Sequence, residues 1–80
     1  MKEEINALQE LHKDMLPMIK SYQFVFEDSK ESRSLRNLEV YVKESVEVLK
    51  ETKVPQVQKL CIDQALGYLT DIEEIINGKS

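Results

Sequence analysis

Eighty residues allow one domain at most, and the composition excludes most devices that stabilise so short a chain. A single cysteine forbids an intrachain disulfide, and with a single histidine it falls short of the four ligands of a closed zinc site. A net charge of −4 with acids and bases interleaved argues against a nucleic-acid partner, and no uncharged stretch nears the roughly 20 residues that span a bilayer.

The first predicted element is a helix over about residues 2–27. Ile5, Leu8, Leu11, Met15, Met18, Tyr22 and Val25 recur at steps of three and four, which places them on one side of an α-helix. Pro17 interrupts this run. A proline inside a helix removes a hydrogen bond and clashes with the preceding turn. The stripe nevertheless keeps its register from Leu11 to Tyr22, so the expectation is one helix kinked at Pro17, with a restart behind Asp14 as the alternative. Pro17 shares the polar side with Lys13 and Lys20, where a missing N–H costs least. The segment SYQFVF (residues 21–26) is aromatic and uncharged and could also pair as a strand. The register of Tyr22 and Val25 favours helix, and Phe26 lies close enough to their stripe to be buried. Phe24 points away from it, towards Lys13 and Pro17.

Asp28–Ser34 is a turn. Asp28 followed by Glu31 resembles a helix-starting box, with Ser32 or Ser34 as other caps. Lys30, Arg33 and Arg36 cluster here, but Asp28 and Glu31 interleave with them, which reads as a solvated loop. A second helix over about 32–52 carries the stripe Leu35, Leu38, Val42, Val46 and Leu49. Glu39 and Lys43 are spaced for an i,i+4 pair. Val40 sits in the middle of the polar face, among Arg36, Lys43, Glu44 and Glu47.

Val54–Pro55 opens the third helix, since proline suits the first helical position. It should run over about 55–77 and end at Asn77–Gly78, a pair suited to a left-handed cap. Its stripe is Cys61, Ala65, Tyr68, Ile72 and Ile75. Leu60, Ile62, Leu66, Leu69 and Ile76 widen the apolar face to about half the circumference, enough to pack against two neighbours. Gly67 costs up to about 1 kcal/mol relative to alanine. Either another helix approaches closely there or the cost is simply tolerated.

Short connections force antiparallel neighbours, so the expected fold is all-α: an antiparallel three-helix bundle, one domain over residues 1–80. Ordering the chain costs roughly 1.5 kcal/mol per residue, which one small core barely offsets. A homodimer is therefore expected.

Catalytic chemistry is not expected. His12 and Cys61 lie on different helices, and no glycine-rich turn is present to shape an oxyanion hole. His12 borders the first stripe, and Cys61, between Leu60 and Ile62, reads as a small core hydrophobe. The Glu-x-x-His repeat of di-metal bundles fails at Gln9. Glu3–Glu4 and Glu73–Glu74 read as solvated pairs. Neither enzyme activity nor a metal or cofactor is expected, and the mixed polar faces argue against a membrane surface. The reduced cysteine and the charged start of the chain suit a cytoplasmic setting.

The informative residues are those that break the amphipathic pattern. Phe24, Leu66 and Val40 are the candidate protein-binding residues, Phe24 foremost because aromatics are enriched at interface hot spots. The expected function is protein–protein binding as adaptor, inhibitor or regulatory subunit. The alternative is an immunity-type protein that neutralises a toxin.

Overall fold

The computed structural model describes residues 2–78, which form three α-helices packed against one another: α1 (Lys2–Val25), α2 (Lys30–Glu51) and α3 (Pro55–Ile76). No strand occurs among the described residues, so the SYQFVF segment is helical up to Val25. The molecule is slender, 41 × 19 × 18 Å. At 1.5 Å rise per residue, helices of 24, 22 and 22 residues account for most of the long dimension.

α1 runs without a break through Pro17. The proline leaves the carbonyl of Lys13 without its intrahelical donor, and both residues are exposed, so water can serve that carbonyl. The helix ends at Val25 rather than near residue 27. Its last turn is closed by the Phe26 N–H, which donates to the Tyr22 carbonyl at 2.9 Å.

The start of α2 also differs from expectation. The cap is Ser29, not Asp28, Ser32 or Ser34, and the helix begins at Lys30 instead of residue 32. The Ser29 hydroxyl oxygen accepts from the Ser32 N–H at 3.0 Å and donates to the Phe26 carbonyl at 2.8 Å, so one side chain closes two helix ends. α2 ends at Glu51. Thr52–Val54 then turns the chain, with the Gln58 amide donating to the Thr52 carbonyl at 3.1 Å.

α3 opens on Pro55 at its first position, as expected. It ends at Ile76, one residue short of the anticipated 77, and Gly78 takes the left-handed conformation at φ 72°.

The core is assembled from Leu8, Met15 and Ile19 of α1, Leu35, Val42, Val46 and Leu49 of α2, and Cys61, Ala65, Leu69 and Ile72 of α3. On α2 the expected stripe is largely the buried one, with Leu38 half-buried. On α3, Leu69 takes the fully buried place while Tyr68 and Ile75 sit at the edge. On α1 the expected stripe is wrong in detail. Ile19 is core, whereas Leu11, Met18 and Val25 are exposed, and so is Phe26. The apolar arc of α1 is wider than the contact it makes, and the fold uses the side running through Leu8, Met15 and Ile19. α2 and α3 pair more extensively with each other than α1 does with either.

Candidate protein-binding surface

The three candidate residues are exposed, and they lie in different places. Phe24 on α1 is 87% exposed, the most open large apolar side chain described. It falls on the flank with Lys13 and Lys20, beside Pro17, and lines none of the grooves described below. Val40 on α2 is about half exposed and isolated among charged neighbours. Leu66 on α3 is also partly exposed and sits about two turns before Glu73 on the same helix flank.

The larger feature is one that the stripe assignment on α1 had concealed. Leu11, Met18 and Val25 follow one another at steps of seven, so they form a row along the helix about 21 Å long. This row opens beside α3. One groove of about 380 Å³ is lined by Leu11, Asp14, Met15, Met18, Glu73, Ile76 and Asn77. A second, of about 420 Å³, is lined by Pro17, Met18, Ser21, Tyr22, Val25, Phe26 and Ile76. The two share Met18 and Ile76 and so make one continuous strip. Its far end is held by the ring contact of Tyr22 with Phe26, centroids 4.7 Å apart. Leu66 lines neither groove. The signal for the strip was present in the sequence as an apolar arc too wide for one helix–helix contact.

A second apolar face lies between α2 and α3. Tyr41, Val48, Val57, Leu60 and Tyr68 line a groove of about 340 Å³, with the Tyr41 and Tyr68 rings 5.4 Å apart. Cys61 forms part of its floor and is buried. Gly67 has open space where a Cβ would stand, so no other helix of the chain approaches it closely.

One polar pair ties two helices together. His12 Nε2 lies 3.1 Å from Glu39 Oε1, both side chains largely buried, and the pair links α1 to α2. Glu39 therefore serves His12 and does not make the expected pair with Lys43; the ion pair on α2 is Glu47 with Lys50 at 3.6 Å. The groove beside His12, lined by Leu8, Gln9, Val42, Lys43, Val46 and Glu47, presents no hydroxyl or thiol that the imidazole could activate. Among the described residues no three His, Cys, Asp or Glu side chains group to hold a metal ion, and no helix is long and apolar enough to cross a membrane. No protein-family model matches the sequence, and no curated protein or solved structure matches it significantly.

Proposed function

We propose that this protein acts by binding another protein, as adaptor, inhibitor or regulatory subunit, and not by catalysis. The observation that carries this reading is the strip along the α1–α3 seam, where side chains of core type stand half open to solvent. Continuous apolar strips of this kind mark interaction surfaces more often than scattered single residues do. Phe24, Leu66 and Val40 remain candidate contacts, though none of them lines the strip.

The same reading takes the helices as an antiparallel bundle with a bend at Pro17. In support, one groove joins the first half of α2 (Ser34, Leu38) to the end of α3 (Asp71, Ile75), while another joins the second half of α2 (Val48) to the start of α3 (Val57, Leu60). It also takes the chain as a homodimer in a cytoplasmic, reducing setting. The Tyr41–Val48–Leu60 face offers the self-association surface, and a buried free thiol at Cys61 suits that compartment.

An immunity-type role is the second reading. It is favoured by the acids Asp14 and Glu73 beside the strip, which suit a cationic toxin. A co-encoded basic partner would distinguish it from a regulatory subunit.

Affinity capture from the native host, read by mass spectrometry, tests the binding role. One protein recovered reproducibly with the wild-type chain is expected. Phe24→Ala should leave thermal stability nearly unchanged, because an 87% exposed ring contributes little to folding. It should weaken binding of a partner that reaches round α1 from the strip to the Phe24 flank by more than tenfold, about 1.4 kcal/mol. Unchanged binding would remove Phe24 from the interface.

A further inference from the structure

We infer that the α1–α3 strip is the seat for an amphipathic helix with a basic polar face, supplied by the partner protein; this rests on the protein-binding reading above. Three observations converge on that occupant. The first is shape. The row Leu11–Met18–Val25 runs about 21 Å, roughly four helical turns. Ile76 faces it across the seam, so the floor is a trough into which anchors at i, i+3, i+4 and i+7 can be laid.

The second is charge. The charged side chains lining the strip are Asp14 and Glu73, one on each wall, and both are acids. Both are exposed, and neither is in an ion pair with a described residue. The lysines of α1 are elsewhere: Lys2, Lys13 and Lys20 fall on the opposite flank, with Phe24. An apolar trough with an unpaired acid on each wall is complementary to a helix carrying lysine or arginine beside its apolar face. A second copy of this chain supplies no such helix. None of its helices is net basic: Lys2, Lys13 and Lys20 of α1 meet Glu3, Glu4, Glu10 and Asp14, the bases Lys30, Arg33, Arg36, Lys43 and Lys50 of α2 are balanced by Glu31, Glu39, Glu44, Glu47 and Glu51, and α3 carries Lys59 against Asp63, Asp71, Glu73 and Glu74.

The third is area. A compact monomer of 9.3 kDa exposes about 5,000 Å². This slender molecule exposes 5701 Å². That excess of about 700 Å² is spread over the whole molecule, the α2–α3 face included, and is of the size that one partner, roughly 800 Å², contributes to a stable interface.

The test uses a fluorescently labelled helical peptide of about 18 residues, leucine on one face and lysine on the other, and a counterpart with glutamate in place of lysine. Fluorescence anisotropy should show the lysine peptide binding and the glutamate peptide not binding. The double substitution Asp14→Lys with Glu73→Lys should weaken binding more than tenfold. Met18→Gln, which leaves the charge unchanged, should do the same, with Leu11→Gln as the second variant if circular dichroism shows Met18→Gln unfolded. Asp63→Lys with Glu51→Lys makes the same change in net charge away from the seam and should leave affinity unaltered.

Equal binding of both peptides, equal loss in the Asp63/Glu51 control, or full binding to the glutamine variants would each overturn the inference. So would Met18→Cys chains that cross-link to one another in the absence of peptide, since the occupant would then be a second copy. A native partner still captured by the Asp14→Lys/Glu73→Lys chain would leave the binding role standing and remove this seat for it.

Discussion

Ser32 shows how much a single polar atom can matter in so small a core. It sits in the first turn of α2, fully buried, and its hydroxyl has no hydrogen-bond partner. A buried donor left unpaired costs about 1–3 kcal/mol. The backbone N–H of the same residue is satisfied by the Ser29 cap and does not depend on the Ser32 side chain. Ser32→Ala should therefore raise stability in urea unfolding, and a loss above 1 kcal/mol would mean that the hydroxyl has a partner in solution. Cys61 is the contrasting case. Its thiol is buried in the cluster with Ala65 and Leu69 and behaves as an apolar group. A thiol reagent should label the native protein slowly and the denatured protein fast. Rapid native labelling would show that α2 and α3 part readily above it.

At the scale of the elements, α1 stands apart. It is the longest helix, yet it buries only Leu8, Met15 and Ile19, and Pro17 removes one of its internal hydrogen bonds. Local stability follows buried contact, so the amides of α1 should exchange with deuterium sooner than those of α2 and α3. Uniform protection across the three helices would contradict that ranking. Pro17→Ala restores the missing N–H on an exposed flank and should stabilise the chain by up to about 3 kcal/mol in the same unfolding assay. A destabilising effect would indicate that the backbone at Pro17 is set by contacts on the strip, whose lining includes this residue. The helix boundaries were legible in the sequence to within two residues. The cap of α2 was not, because three serines and an aspartate in seven residues offer nearly equivalent chemistry. Only the path of the chain past Phe26 selects Ser29.

For the whole molecule, surface is the governing quantity. The chain exposes more area than a compact protein of its mass, and its apolar residues outnumber the places in its core. Sedimentation equilibrium at micromolar concentration should report a species heavier than the monomer. Val48→Glu, on the α2–α3 face, should return it to monomer while leaving the helical signal intact. A wild-type monomer would leave that face, like the strip, for a different protein.

Three helices, their approximate ends, the proline start and the glycine finish of α3, and the placement of Leu35, Val42, Val46 and Leu49 inside follow from local periodicity and capping chemistry. These depend on neighbours within a turn or two, and such neighbours are present in the sequence itself. Which side of α1 faces inward does not. Leu11 and Met18 are as apolar as Leu8 and Met15, and the helix wheel puts them next to each other. The choice is made by α3, whose Ile76 leaves Met18 open at the seam, and by α2, which draws the His12 side towards Glu39. Rotating α1 about its axis changes no local hydrogen bond, so only packing against the other two helices could decide which residues became core and which became surface.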